Sequence, residues 1–379
     1  MDKRNISNEV VDVPQKKKNK GKKAFIVIII LIFAIIAGAV GGVFIYMNSL
    51  GINYHDEDDI IPEEEIVTND DVLYEDLQEE EISDHHEIIS AIRGDNSLSS
   101  TLYNWYHNSK GDIMSSKNVL NILIIGVDSR SGKIKGNSDV MMLASVNKEK
   151  QSITLCSFLR DSYTYFESSG GKGYYSKLTH AFSYGGADCL VNAIENNYKI
   201  AVDYFVAVDF EAFKGVIDEI GGVTLDVTQA EARAMENYGK ISGIPYGDGV
   251  TLNGEQALLF ARMRKIYASG DVKRTENQRE VINAIIKKAR TLSVSDLNDV
   301  VQTLGKYVYT DCSASKIVSL GTNAILGQWF NYQVYSMESP PESARKAYEG
   351  NSWMWIVDYP YSAQYVQKQI YGESNIVFE

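Results

Sequence analysis

The most constraining feature of this 379-residue chain is an uncharged apolar run at residues 24–47, AFIVIIILIFAIIAGAVGGVFIYM. A helix crosses the hydrocarbon core of a bilayer in roughly 20 residues, so this run is long enough to span. A cleaved signal peptide has an apolar segment of about 7–15 residues and a small-residue exit, which does not match. Eight Lys or Arg lie in residues 1–23 against three Asp or Glu. Basic flanks stay on the cytoplasmic side, which puts residues 1–23 inside and everything after Met47 outside. The expected localisation is a single-pass membrane protein, N-terminus cytoplasmic and C-terminal domain extracytoplasmic. Gly38 and Gly42 have small-xxx-small spacing, which Gly/Ala-rich spans also carry by chance, so oligomeric state stays open. The lysines are placed to touch anionic lipid headgroups.

Net charge is −13, from 37 Lys+Arg and 50 Asp+Glu, but the acid is concentrated. Residues 56–87 hold 16 Asp or Glu and no Lys or Arg, which leaves residues 88–379 close to neutral. A self-repelling segment with few aromatics reads as an extended spacer. The chain therefore divides into a basic tail (1–23), a membrane helix (24–47), an acidic stalk (48–117) and a folded domain (118–379). Residues 56–59 lack the spacing of a calcium loop, and His85 and His86 have no second ligand pair. Cys156, Cys189 and Cys312 are odd in number, far apart and outside any Cys-x-x-Cys motif, which argues against a disulfide framework or zinc. With 44% hydrophobic and 23% charged residues, collagen, low-complexity disorder and a polytopic membrane protein are excluded.

From residue 118 the pattern is α/β. VLNILIIGV (119–127), SDVMMLASVN (138–147) and SITLCSFL (152–159) read as strands, the second and third joined by a hairpin-length link at 148–151. Residues 178–198 read as a helix interrupted at Gly185-Gly186. YFVAVDF is a strand, the next helix stops at Gly221-Gly222, and VTLDV is another strand. Asn253 is a helix N-cap, and residues 276–290 are amphipathic through Val281, Ile282, Ile285, Ile286 and Ala289. Helices near 313–326 and 362–371 flank a strand near 332–337. The expected fold is a three-layer α-β-α sandwich with a central mixed sheet, preceded by one transmembrane helix.

GVDSRSGK invites comparison with a phosphate-binding P-loop, but five residues separate Gly126 from Gly132 and Ile134 stands where Ser or Thr would hold magnesium. The same loop offers other chemistry. Asp128 follows the first strand and Asp139 opens the second. If those strand ends converge, two carboxylates can share a hard cation such as Mg²⁺. Arg130, Arg160, Arg262, Arg264 and Arg274 lie at element ends and suit bidentate binding of phosphate.

NILIIGVDSR, NSDVMMLASVN, SITLCSFLRDSY, KLTHAFSYGG, DYFVAVDFEAFKGVIDEIGGV, LNGEQALLFARMR and DVKRTENQR follow one another in that order. This series closely resembles the LytR-CpsA-Psr family of cell-wall glycopolymer ligases, well over 118–290 and loosely over the last 80 residues. The resemblance implies an extracytoplasmic phosphotransferase. Its donor would be a polyprenyl-pyrophosphate-linked glycan (teichoic acid or capsule-like), its acceptor a peptidoglycan hydroxyl, and its cofactor Mg²⁺ or Mn²⁺. It assigns Asp128 and Asp139 to the metal. Arg130, Arg160, Lys177, Arg262, Arg264, Arg274 and Gln278 go to the pyrophosphate. Arg160, Asp161, Asp271 and Arg274 go to catalysis, with either Asp161 or Asp271 accepting the proton of the sugar hydroxyl. Two family arginines are replaced, by Asn137 and Asn277. The prenyl chain would need an apolar channel, for which the helix faces at 187–198 and 279–290 are candidates.

Other function classes remain in view. One is a non-catalytic binder of wall precursors, suggested by the missing arginines. Another is a Mg²⁺-dependent pyrophosphatase with water as acceptor. A nucleic-acid partner is not expected, because the only basic run is beside the membrane span.

Overall fold

The computed structural model describes residues 53–54, 96–107, 113–128, 135–289, 291, 308–339, 344–349 and 352–377. The basic tail, the run at 24–47, nearly all of the acidic segment and Arg130 lie outside the described residues. Among the described residues no helix is long and apolar enough to cross a membrane.

In chain order the elements begin β1 (Asn53–Tyr54), α1 (Asn96–His107), β2 (Val119–Val127), β3 (Ser138–Asn147), β4 (Ser152–Phe158), β5 (Ser162–Glu167) and β6 (Gly173–Lys177). They continue with α2 (His180–Tyr198), β7 (Tyr204–Val208), α3 (Phe210–Glu219), β8 (Val223–Val227), α4 (Gln229–Gly239), β9 (Gly247–Leu252), α5 (Gly254–Arg262) and α6 (Asp271–Ala289). The last are β10 (Tyr309–Thr310), α7 (Ala314–Leu326), β11 (Gln333–Ser339), β12 (Arg345–Glu349), β13 (Ser352–Ile356) and α8 (Tyr359–Tyr371).

The main sheet has the order β1-β10-β7-β2-β3-β4-β11 and is mixed: β2–β3 and β3–β4 are antiparallel, β2–β7 and β4–β11 parallel. Period-2 alternation gives it two apolar faces. Leu123, Ile125 and Leu143 pack with α2 and α8, through Leu190, Ile194, Val366 and Ile370. Ile122, Ile124, Met142 and Leu155 pack with Ile282 and Ile286 of α6 and Leu320 of α7. Helices thus cover both faces of a mixed α/β sheet. A separate core forms where the antiparallel β8–β9 pair meets α3, α4, α5 and α6.

Several local expectations hold. Gly185 (φ −162°, ψ 22°) and Gly186 (φ 68°, ψ −158°) break α2, and Asn253 caps α5 through a capping box with Gln256. The three cysteines are free and buried. Others need correction. A second sheet, β12-β13-β5-β6, was not foreseen, nor were α4 and β9. Helix α6 starts at Asp271 rather than 276. Helix α1 lies inside the segment 48–117, yet its Leu102 and Tyr106 are buried in the main core. The faces proposed for a lipid channel lie on opposite sides of the main sheet, because α2 packs on the Leu123 face and α6 on the Ile122 face. They line no shared channel.

Candidate active site

The site begins with an irregularity in β3. Gly126 pairs with Val140 and Val127 with Ser138, which leaves Asp139 as an extra residue on the β3 side. Such a bulge re-aims a side chain that regular alternation would send elsewhere. Asp128 follows β2 directly and its backbone N–H donates to the Asn137 carbonyl at 3.4 Å. The two strand ends carrying Asp128 and Asp139 are therefore neighbours, the condition that sharing a cation would require.

Arg160 and Asp161 turn the corner between β4 and β5, and their backbone is tied on every side. The Thr179 N–H donates to the Arg160 carbonyl (3.0 Å) and the Trp355 N–H to the Asp161 carbonyl (2.8 Å). The Leu159 N–H donates to Ser339 (3.0 Å). The Thr179 hydroxyl closes the gap to β3 by donating to the Ser138 carbonyl at 2.9 Å. Thr179 and Ser138 were not singled out by sequence. The signal was present only as small hydroxyl residues beside the charged ones.

From this corner a chain of ion pairs runs through the site. Arg160 Nη1 donates to Asp139 Oδ1 at 2.7 Å. Its Nε lies 3.5 Å from Asp161 Oδ2 and 3.7 Å from Asp271 Oδ1. Lys177 Nζ meets Asp161 Oδ1 at 2.7 Å, and Arg274 Nη2 meets Asp271 Oδ1 at 2.6 Å. Lys177, Asp161, Asp271 and Arg274 are all buried. Burial works to raise the carboxyls of Asp139 and Asp161, but the cations win and hold both below their ordinary value. For Asp139 these are Arg160, Arg274 and Arg262; for Asp161 they are Arg160, Lys177 and Arg274. Arg160 is raised despite its burial, by Asp139, Asp271 and Asp161. Arg274 is lowered, by burial first and by the like charge of Arg160 second.

These guanidinium groups are held but not fully satisfied. Arg160 Nε and Arg274 Nε and Nη2 are buried and have no hydrogen-bond acceptor among the described residues. The short Arg274–Asp271 approach is an ion contact without hydrogen-bond alignment. Buried donors are normally paired, and leaving one unpaired costs about 1–3 kcal/mol. Two mutually repelling arginines with orphaned donors are prepared for an oxyanion.

The structure thus brings together Asp139, Arg160, Asp161, Lys177, Asp271 and Arg274. Arg262, at the end of α5, acts on Asp139 and is steadied by Phe210, its guanidinium carbon 4.4 Å from the ring centroid. Neither Arg264 nor Gln278 makes an ion pair or hydrogen bond with this group among the described residues. No group of three or more His, Cys, Asp or Glu there is placed to hold a metal.

The LytR_cpsA_psr family model matches residues 86–370. The chain belongs to the LytR-CpsA-Psr family. Polyisoprenyl-teichoic acid–peptidoglycan teichoic acid transferase TagU of Bacillus subtilis (strain 168) is 35% identical over 199 residues, which is 52% of this chain and 61% of that protein. The chain spans about three fifths of the length of the curated relatives it matches. Among solved structures, TagT bound to LIIa-WTA superposes with a TM-score of 0.55 at 28% identity, over 69% of this chain and 91% of that one. Protein gbs0355 from Streptococcus agalactiae gives 0.60 at 23% identity, over 69% and 93%, a likeness of fold alone.

One of this LytR-CpsA-Psr chain's departures has a structural reason. Asn277 is fully buried, and its amide donates to the Phe260 carbonyl (3.2 Å) and the Tyr267 hydroxyl (3.1 Å). It ties α6 to the end of α5, the segment that carries Arg262.

Proposed function

We propose that this protein is an extracytoplasmic phosphotransferase. It moves a phospho-glycan from a polyprenyl-pyrophosphate-linked glycopolymer, teichoic acid or capsule-like, to a hydroxyl of peptidoglycan. The observation that carries this reading is the pair Arg160 and Arg274, whose buried guanidinium nitrogens have no acceptor among the described residues. The transferase name of the TagU relative and the TagT likeness support the same class of donor and acceptor. The apolar run at 24–47 with its lysine flank supports a single membrane anchor, cytoplasmic N-terminus and contact with membrane lipid.

Charge balance supports a divalent cation. Asp139, Asp161 and Asp271 already offset Arg160, Lys177 and Arg274, so a bound pyrophosphate brings surplus negative charge. Asp128 and Asp139 supply hard oxygen donors from adjacent strand ends, and Mg²⁺ needs only one or two such carboxylates when phosphate and water oxygens complete its shell. Held there, Mg²⁺ or Mn²⁺ would neutralise phosphate oxygens.

The protein's own groups do the rest by positioning and charge. Arg160 and Arg274 donate to the phosphoryl oxygens and hold the charge that develops in the transition state. Arg262, and Arg264 beyond it, add cations on the α5 side, and Gln278 a neutral donor on α6. Asp271 sits between two arginines and holds them in place. Asp161 lies at the Lys177 end of the chain of ion pairs and accepts the proton of the incoming sugar hydroxyl.

The test uses full-length protein in lipid nanodiscs, a labelled polyprenyl-pyrophosphate glycan and peptidoglycan oligomers. Wild type should form a glycan–peptidoglycan product that chelation of divalent cations abolishes. Arg160→Ala and Asp128→Ala should each lower the rate by about 10²-fold or more. Bound lipid with no product would favour a precursor binder, and free phospho-glycan without acceptor would favour a pyrophosphatase. Unchanged turnover in Asp128→Ala would defeat the metal assignment.

A further inference from the structure

The second sheet, which supplies Lys177, also carries an aromatic surface that the phosphate chemistry leaves unused. On β13, Met354 and Ile356 are buried in a small core with Ala347 of β12, while Trp353 and Trp355 turn to the opposite, partly exposed face. Lys346 of β12 pairs directly with Trp355. Its Nζ lies 5.6 Å from the Trp355 ring centroid and 5.8 Å from that of Trp353. The indoles meet edge-on with centroids 5.7 Å apart. Lys177 Nζ is 5.9 Å from the Trp353 centroid. Trp355 Nε1 is buried with no acceptor among the described residues.

These contacts set an order in space. Asp139 joins Arg160, Arg160 meets Asp161, Asp161 joins Lys177, and Lys177 faces Trp353. Phosphate-binding arginines occupy the first end, and the indole stands at the other. A pyranose ring has a face of C–H groups that packs on the electron-rich face of an indole, with its hydroxyls directed outward to polar neighbours. Ammonium groups beside the ring suit the carboxylates of a substituted amino sugar. A donor sugar is fixed through its own phosphate at the arginine end. An acceptor hydroxyl has to arrive from the side away from the leaving phosphate, and that side here is Asp161 and Lys177.

Building on the transferase reading above, we infer that Trp353, flanked by Lys346 and Lys177, is a stacking platform for a saccharide ring of the acceptor glycan. It presents that sugar's hydroxyl to Asp161. The plainer role, lysines and tryptophans covering the edge strand β12, concerns stability and predicts no effect on acceptor binding.

Calorimetric titration of the full-length protein with a soluble peptidoglycan oligosaccharide, and separately with inorganic pyrophosphate and Mg²⁺, distinguishes the two. Trp353→Ala should weaken oligosaccharide binding at least about tenfold and raise the acceptor KM to match, the loss expected when one aromatic anchor is removed. Pyrophosphate affinity should stay within about twofold. Trp353→Tyr keeps a ring and the packing, and should recover most of the loss. The platform is overturned if wild type does not bind the oligosaccharide or if Trp353→Ala binds it as well as wild type. A parallel loss of pyrophosphate affinity would also overturn it. If wild type binds the oligosaccharide through Trp353 but transfers nothing, the transferase reading fails and the saccharide platform stands.

Discussion

Arg160 bonds Asp139 with one nitrogen and places another between Asp161 and Asp271. A guanidinium is suited to this because its donors are spread over a rigid plane, whereas an ammonium is a single point. Arg160→Lys keeps the charge but cannot reach all three carboxylates. The expected result is a fall in transfer rate of about 10²-fold with the fold intact, measured by turnover alongside a urea titration. A second charged side chain sits far from this chemistry. Lys199 is buried, adopts φ 52°, donates to the Tyr106 carbonyl at 3.1 Å and lies 5.3 Å from the Trp105 ring centroid. Burial lowers its pKa from 10.5 to about 8. Between those values the unfolded chain binds more protons than the native one, so stability rises with pH. Buried thiols and tyrosines raised by the fold pull the other way, so the comparison is with Lys199→Met: the wild-type urea midpoint should gain on that variant's from pH 8 to 10.

Among the elements, helix α6 has the widest reach. Its first turn supplies Asp271 and Arg274, and its body enters two cores, Val281 and Ala284 on one side and Ile282 and Ile286 on the other. Asn277 fixes its axial position against α5. Restoring the family residue by Asn277→Arg would put a longer charged group where there is no solvent exposure. We expect a loss of about 2–4 kcal/mol in unfolding free energy and no gain in pyrophosphate affinity. A tighter pyrophosphate titration in that variant would show that the arginine deficit matters. The same elements mark what sequence could reveal. Strands β2, β3 and β4 were legible because both of their faces are buried, which writes long apolar runs into the chain. Strands β5, β6, β12 and β13 were not, since SYTYFE, GYYSK, RKAYE and SWMWI are short and rich in tyrosine, tryptophan or charge. Asp139 and Arg160 could be named from family likeness. The contact of Arg160 with Asp271 could not, because it joins residues more than a hundred positions apart through an ion contact that leaves no periodicity.

At the scale of the whole molecule, the site is assembled from three parts of the fold. The main sheet gives Asp128, Asp139 and Arg160, the second sheet gives Lys177, and the core around the β8–β9 pair gives Arg262. A ligand gripping all three should stabilise their mutual docking. Mg²⁺ with pyrophosphate at about 100 times its Kd should add about 2.7 kcal/mol to unfolding, read as a rise in Tm that Arg274→Ala removes. The order of the chain has its own consequence. Strand β11 pairs along its full length with β4, and Trp355 clamps the Asp161 carbonyl, so residues from the last eighth of the polypeptide finish a corner laid down before its midpoint. A nascent chain emerging residue by residue therefore carries its charged groups unassembled until synthesis is nearly over. Premature termination or clipping near the carboxyl end should therefore yield an inert product rather than a partly active one, a difference read as turnover of chains shortened before Gln333.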